Sequence, residues 1–438
     1  MRTVSVATLG CKTNQCESES LLGALERRGY VPVPFGQGSD ITIINTCTVT
    51  HRADFQSRQI IRRALRANPN SLIIVTGCYA QVDPGAISKI EGVRYVLGNK
   101  GKNTIADLLP LMEKGGLPRI HVAGIEGEKD FSDILPSFRH HTRAFLKIQD
   151  GCDGQCSYCI VPRARGRGRS LAPERVIQHM RALKECGFKE VVLTGIHAGS
   201  YGQDLDPPFS LEKLLRRLEE EETPHRLRLS SVEPFDFTPA LISCLTESKK
   251  LCPHLHIPVQ SGDDEILERM NRRYNSHSIS HLFTQLHQAI SDASIGTDVI
   301  VGFPGETEES FRRTYELIDS LPISYLHVFP FSKRIGTPAS GLSRHVEQGT
   351  VKRRAEQLRE LGKRKRFSFY RRFLDMELNV LGEDRRDKRS GRWKGLSRNY
   401  IPVLSEECAD WVNREWRMRV TGIEPSGVTG RIVEKADG

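Results

Sequence analysis

No stretch of this 438-residue chain approaches the roughly 20 consecutive apolar residues a bilayer-spanning helix needs, so no membrane segment is expected. The opening MRTVSVATLGC has no signal-peptide core and runs straight into strand-like alternation, which places the chain in the cytoplasm. Internal repeats and low-complexity tracts are also missing. Aromatic residues are scarce at 7%, and only three are Trp. Cysteine is not scarce, but an odd count of eleven in a chain this long does not read as a disulfide framework. In a reducing compartment these thiols read as metal ligands plus a few buried side chains. The remaining composition, 38% hydrophobic and 27% charged, is that of an ordinary globular protein with room for two to four domains.

What is present is a run, GCDGQCSYCIVPRARGRGRS, that sets Cys152, Cys156 and Cys159 as C-x3-C-x2-C. Three thiolates this close can hold three irons of a cubic 4Fe–4S cluster. A structural zinc or an electron-transfer cluster takes four protein ligands, and no fourth Cys or His stands nearby at zinc-finger spacing. The fourth iron of such a cluster is left open to a small molecule. This spacing, with Tyr158 just before the last Cys, resembles the radical S-adenosylmethionine (SAM) enzymes. In those enzymes the open iron chelates SAM, and one electron then cleaves it to a 5′-deoxyadenosyl radical.

A second trio is dispersed. Cys11, Cys47 and Cys78 each follow an N-terminal strand, in VATLGC, IINTC and IVTGC. Parallel strands bring their carboxyl ends to one sheet edge, so these thiols can converge on a metal; the plain alternative is three buried thiols. Cys16 lies on the helix after Cys11 and reads as helix packing. Cys186, Cys244, Cys252 and Cys408 have no partner spacing and read as structural.

The order of elements predicts an α/β chain. Residues 1–112 alternate short β-branched runs with helical sequence, as a parallel α/β domain does. Residues 113–138 are rich in Gly, Pro and charge and read as a linker. Six β/α units over 139–369 (strands RAFLKIQD, EVVLTGIH, HRLRLSSVE, HLHIPVQ, IGTDVIVG and YLHVFPF) predict a partial TIM-type barrel, open on one side. From 370 to 438, after a long basic helix, short strands with Gly turns predict a small β-barrel. The net charge is +10; from Val351 onward 22 Lys and Arg face 14 Asp and Glu, so +8 of it lies in the last fifth of the chain. That segment also holds Trp393, Trp411 and Trp416, and basic residues interleaved with aromatics suit phosphate neutralisation and base stacking.

Together these features resemble the methylthiotransferase family, over essentially the whole chain. LGCKTNQCESE, INTCTVT, TGCYAQ, QDGCDGQCSYCIVPRARGRGRS, HLHIPVQSGDDEILERMNRRY, DVIVGFPGETEE and GTPA match its signatures. The resemblance implies an α/β domain with an auxiliary 4Fe–4S cluster on Cys11, Cys47 and Cys78. It further implies a radical-SAM barrel whose cluster sits on Cys152, Cys156 and Cys159, and a C-terminal TRAM domain that grips RNA. It implies two SAM molecules per turnover, one as radical source and one as methyl donor. It also implies a flavodoxin- or ferredoxin-type electron donor and a sulfur source.

LTGIHAGSYG, SSVEP, HLHIPVQSG, MNRRY and HVFPFS are most similar to the branch acting on N6-threonylcarbamoyladenosine beside the tRNA anticodon. The alternatives are the isopentenyladenosine branch and a non-catalytic iron–sulfur RNA-binding protein. Barrel sites lie at the carboxyl ends of the strands. Thr194, Gly195, Glu233, Gln260, Ser261 and Gly302 are therefore, with Tyr158, the expected SAM-pocket residues, although the glycines also suit tight turns. Arg163, Arg165, Arg167 and Arg169 follow the cysteine loop and fit RNA phosphates, the threonyl carboxylate, or simply a solvated loop. His254 and His256 share a strand face, toward the barrel lumen or the core. GFPGETEES reads as a strand-to-helix turn capped by Thr307.

Overall fold

The computed structural model describes residues 1–131, 133, 135, 142–406 and 410–436. Cys408 and the end of the expected linker lie outside the described residues.

The β-branched runs of the N-terminal region form a six-stranded, all-parallel sheet. Its strands are β1 (Thr3–Thr8), β2 (Val31–Pro32), β3 (Ile41–Thr46), β4 (Leu72–Gly77), β5 (Val93–Leu97) and β6 (Ile120–His121), in the order β2-β1-β3-β4-β5-β6. Every residue of β3 is buried, as a parallel strand covered on both faces requires. Leu21 and Leu25 of helix α1 (Lys12–Arg27) pack on one face with Val4, Ile41 and Ile43. Ile61 and Ala64 of α2 (His51–Ala67) pack on the other with Ile44, Ile73 and Val75. Helices leaving β1 and β3 for opposite faces open a crevice between those strand ends. In open α/β sheets this reversal point is where ligands bind.

One expectation is corrected here. The stretch read as linker begins as part of this sheet, because β6 pairs with β5 through Val96 and Leu97. Two residues are too short a run for a pattern to show.

The second region places β7 (Arg143–Lys147), β10 (Glu190–Thr194) and β11 (Arg226–Leu229) in one parallel half-sheet. A second holds β12 (His254–His256), β13 (Ser294–Val301) and β14 (Tyr325–Pro330). The halves meet at a parallel bridge, Leu227 to Leu251, giving a six-stranded partial barrel. Helices alternate with these strands, and their starts carry side-chain caps at Ser210, Thr238, Asp263, Asn275 and Thr307. Thr307 accepts from the Ser310 N–H, as the turn reading required. Between β7 and β10 a small antiparallel pin, β8 (Gln149–Asp150) with β9 (Arg169–Ser170), ties together the two ends of the cysteine loop.

The helix Gln348–Arg371 leads into five strands: β15 (Glu377–Arg386), β16 (Trp393–Ser397), β17 (Pro402–Ser405), β18 (Glu415–Glu424) and β19 (Gly427–Lys435). They close as β15-β16-β17-β19-β18 around Val380, Ile401, Val403, Trp411, Met418, Val420 and Val428. Among the described residues no helix is long and apolar enough to cross a membrane.

Candidate active site

The C-x3-C-x2-C loop is fixed by short-range bonds. The Cys152 N–H donates to the Gly166 carbonyl at 3.0 Å, and the Cys159 N–H to the Cys156 carbonyl at 3.1 Å. Ser157 docks the loop on the barrel through its N–H to the Met270 carbonyl (2.9 Å) and its hydroxyl to the Arg269 carbonyl (2.7 Å). Donors already face the sulfurs. The Gly154 N–H lies 3.2 Å from Cys152 Sγ, and Arg272 Nη1 lies 3.1 Å from Cys156 Sγ. Burial, with Cys156 and Cys152 adding to it, pushes the Cys159 thiol up to about 12. Desolvated thiols crowded together favour their thiolates only when a cation joins them.

The dispersed trio is built by the sheet. Gly10 and Gly77 precede Cys11 and Cys78 at φ +95° and +97°. A Cβ on Gly10 would lie 2.8 Å from Cys47 Cβ and 2.9 Å from its Sγ, and one on Gly77 would lie 2.5 Å from the Thr46 carbonyl oxygen. Only glycine permits both the left-handed turn and this approach. Asn14 Nδ2 then ties the ends of β1 and β3, donating to the Leu9 and Thr46 carbonyls at 2.7 and 3.1 Å. Cys47 is pushed up to about 12 by burial and by the neighbouring Cys78 and Cys11. Among the described residues only His256, Asp298 and His327 set three ligand atoms within 4.8 Å of one another. Three thiol donors per site and close-fitting glycines suit a cubic cluster.

The two sites are mechanically joined. The helix Val161–Arg165, directly after Cys159, packs on helix α3 (Cys78–Val82). Asn99 Nδ2 bridges them, 2.7 Å from the Ala164 carbonyl and 3.7 Å from Cys78 Sγ. Arg165 is 2% exposed. It donates to Glu17 (2.9 and 3.1 Å), Asp150 (2.7 Å) and Asn14 (2.5 Å). Lys102 and Lys147 also reach Glu17, at 2.5 and 3.1 Å, and Arg169 lies 3.5 Å from Asp150. Burial alone would raise Glu17, but Arg165, Lys102 and Lys147 outweigh it and hold its carboxyl far below the ordinary range. Four cations against two carboxylates leave positive charge here, and Arg165 lies within electrostatic reach of Cys78 and Cys11.

This corrects the reading of the arginine run. Arg165 and Arg169 are consumed in the interdomain clamp and face no substrate. Arg163 and Arg167 stay exposed, Arg163 donating to the Ile335 carbonyl at 3.1 Å.

A cavity of about 780 Å³ runs between all three regions. Cys11, Lys12 and Cys47 line it from the first, and Thr194, Gly195, His254 and Tyr325 from the barrel strands. Arg366 of the basic helix and Tyr400 of the small β-barrel complete the wall. Burial, with Arg143 and Arg228, lowers Lys12 to about 8. His197, two residues beyond Gly195, lies 4.0 Å from Cys152 Sγ and bonds Asp236 at 2.7 Å. His197 thus ties Cys152 to the segment that follows Gly195 of the cavity wall. Both His254 and His256 line it, bonded to the Tyr325 hydroxyl at 2.8 and 3.1 Å.

Other expected residues are placed differently. Glu233 pairs with Arg272 and through it reaches Cys156. Tyr158 packs beside Ile266, Met270, Phe303 and Ala339. Gln260, at φ +68°, bonds β13 through its backbone at Asp298 and Ile300. Ser261 and Gly302 sit in turns: the Ser261 hydroxyl is 3.2 Å from Thr314 Oγ1, and the Gly302 N–H donates to Glu306 at 3.1 Å. Trp411 is also corrected. It is 1% exposed, fills the small barrel and stacks on Trp416, so it offers no face to a base. Cys16 is buried with the barrel core, and Cys244 and Cys252 are buried; Cys186 is exposed. Arg272, His197, Lys12 and Arg366 were not singled out from sequence; MNRRY, LTGIHAGSYG and LGCKTNQ contained three of them unremarked.

An open six-stranded parallel barrel with a three-Cys loop at its mouth defines a radical SAM enzyme. Residues 146–318 match the Radical SAM superfamily, and residues 3–98 match Uncharacterized protein family UPF0004. The radical SAM methyltransferase TsrM of Kitasatospora setae shares the fold, with a TM-score of 0.59 at 17% identity over 77% of each chain. The chain is 38% identical to a threonylcarbamoyladenosine tRNA methylthiotransferase of Bacillus subtilis, over 96% of this chain and 94% of that one. It is 37% identical to the Aquifex aeolicus protein of the same name, over 92% and 96%. A tRNA-2-methylthio-N(6)-dimethylallyladenosine synthase of Thermobifida fusca is 36% identical, over 91% and 82%. The chain belongs to the radical SAM tRNA methylthiotransferases, enzymes that use 4Fe–4S clusters and SAM.

Proposed function

We propose that this enzyme methylthiolates C2 of N6-threonylcarbamoyladenosine beside the anticodon of tRNA. The observation that carries the reading is the shared cavity. Cys11 and Cys47 form one wall of it, the barrel strand ends another, and the rings of Tyr325, Tyr400 and His254 lie between. Cys152, Cys156 and Cys159 hold one 4Fe–4S cluster, and Cys11, Cys47 and Cys78 hold the second. When bound, these clusters and two SAM molecules supply the radical, the methyl group and a path for sulfur to an adenine C2–H that resists polar chemistry.

The residues of the chain do the positioning. Arg272 donates to Cys156 and holds Glu233, which orders the loop against the barrel. Tyr400 stacks on His254 with ring centroids 4.0 Å apart, and that flat surface suits a purine ring. Thr194 and Gly195 offer strand-end backbone groups to the SAM side of the cavity. Exposed Lys388 and Arg389 of the small barrel, with Arg386 over Trp393 at 4.2 Å, face solvent and suit RNA phosphates. The partners are tRNA, a flavodoxin- or ferredoxin-type electron donor and a sulfur source, and the compartment is the cytoplasm.

The test is a single-turnover assay on three tRNAs: threonylcarbamoylated, isopentenylated and unmodified. Only the first should gain the methylthio mass. Product on the isopentenylated tRNA alone would assign the chain to the sister branch.

A further inference from the structure

The cavity carries cations with no acid of their own. Among the described residues, its one carboxylate is Asp298, already bonded to His256 at 3.0 Å and to His327 at 3.2 Å. Lys12, half-buried, has no carboxylate within ion-pair distance among the described residues. The acid electrostatically nearest it, Glu190, is spent on Arg226 and Arg228 at 2.9 and 2.8 Å. Arg366 on the basic helix is likewise half-buried and, among the described residues, likewise without an ion-pair or hydrogen-bond partner.

Both cations line the same cavity as the hydrogen-bonded pair His254–Tyr325, with Lys12 acting electrostatically on His254 and Arg366 on Tyr325. His254 is 2% exposed, and its Nδ1 has no hydrogen-bond partner. Elsewhere this protein pairs its buried charges closely, as at Glu17 and Glu190. Two unpaired cations and an unpaired ring nitrogen around aromatic faces describe a socket for an anionic group attached to a flat ring. Desolvated cations left unpaired are costly, and an anion that completes them is held strongly.

We infer that Lys12 and Arg366 receive the carboxylate of the threonylcarbamoyl substituent, making the pair the element that selects the acidic nucleoside. The inference rests on the proposed function and relocates the carboxylate partner from the arginine run, whose Arg165 and Arg169 are buried in the clamp. Because Lys12 adjoins Cys11, one wall of the socket touches the auxiliary site, so an anchored carboxylate would fix the adenine relative to it. A tRNA phosphate is the other anion that fits two cations, and the experiment separates the two.

The full-length, cluster-loaded enzyme is titrated with anticodon stem-loops carrying either threonylcarbamoyladenosine or its carboxamide, which keeps the hydroxyl and the urea but removes the charge. Wild type should bind the acid about 10–100-fold more tightly, the range for hydrogen bonds to a charged group. Lys12→Met and Arg366→Met should each lower that preference about tenfold by weakening the acid and not the carboxamide. Lys12→Arg should keep most of it. Arg366 is remote from the cysteines in sequence, so Arg366→Met decides the matter even if Lys12→Met loses iron. Equal binding of acid and carboxamide by wild type would overturn the inference and point to a phosphate, leaving the proposed function standing. An undiminished preference in Arg366→Met would also overturn it. Methylthiolation of isopentenylated tRNA alone would remove the proposed function itself, and the inference with it.

Discussion

Cys152, Cys156 and Cys159 occupy one loop, whereas Cys11, Cys47 and Cys78 come from three strand ends of a different sheet. The loop is held by bonds between neighbours in sequence and by docking on Met270 and Arg269. The dispersed trio depends on sheet register, on two glycines that no larger residue can replace, and on Asn14 spanning two strand ends. The difference teaches where each site is vulnerable. A contiguous ligand set survives distortion of the domain around it, while a dispersed one is only as well formed as the sheet and its clamp to the barrel.

The largest effects should come from removing each ligand set in turn. With two 4Fe–4S clusters the chain holds ~8 irons, and either triple Cys→Ala variant should lose about half. Replacing Cys152, Cys156 and Cys159 should abolish formation of 5′-deoxyadenosine. Replacing Cys11, Cys47 and Cys78 should leave that product measurable and abolish the methylthio product. A full iron complement surviving both replacements would break the comparison outright.

The clamp comes next. Arg165→Met would take from Asp150 its shortest partner and from Glu17 its two-pronged one in a buried setting, at a cost of roughly 3–5 kcal/mol. Urea unfolding should show the loss as a shifted midpoint. Reconstituted Arg165→Met should lose iron from the dispersed site before the loop site, visible as retained 5′-deoxyadenosine formation with diminished methylthio transfer. Parallel loss of both activities would mean the two sites are not separately supported.

Much of this was legible in the sequence, for an identifiable reason. The C-x3-C-x2-C loop is local, and each of the six barrel strands was marked by its own short strand-like run. Cys11, Cys47 and Cys78 were legible one step further, because position at a strand end is a local property and parallel topology makes it a spatial one. Residues whose role depends on a distant partner were not legible. Arg165 looks like one of four solvated arginines until Glu17 arrives from 148 positions away. Trp411 looks like a base-stacking ring until the five strands close around it. Lys12 and Arg366 are informative only because nothing among the described residues neutralises them, and sequence does not show an unmet charge.

A second clamp, holding the small barrel to the partial barrel, should give a smaller, pH-dependent effect. Glu415 bonds His225 at 2.6 Å and Arg226 at 2.5 Å. Burial alone would raise its carboxyl, but these partners outweigh it and hold it down at about 2. An unfolded Glu titrates near 4.3, so the bonded carboxylate contributes fully above that value. The contribution is lost as pH falls from there through about 2. Glu415→Gln should therefore lower stability by roughly 2–3 kcal/mol at neutral pH. Thermal melts of variant and wild type should differ by a constant gap down to about pH 4.5 and converge below it. A gap that persists unchanged to the acid limit would show that the charge on Glu415 is not what holds the barrel.

The smallest expected effect belongs to the cysteine nearest the dispersed trio. Cys16 lies five residues after Cys11, yet its side chain turns into the barrel core with Leu146 and Leu171, and burial raises its thiol to about 12. A thiol so desolvated, with no second sulfur beside it, behaves as a small hydrophobe. Cys16→Ala should cost about 1 kcal/mol of stability and leave iron content, SAM cleavage and methylthio transfer at wild-type levels. If Cys16→Ala loses half the iron, the auxiliary ligands have been assigned one helical turn away from the true set. Because Gly10 places Cys11 on Cys47 and nothing comparable brings Cys16 there, the geometry favours retention.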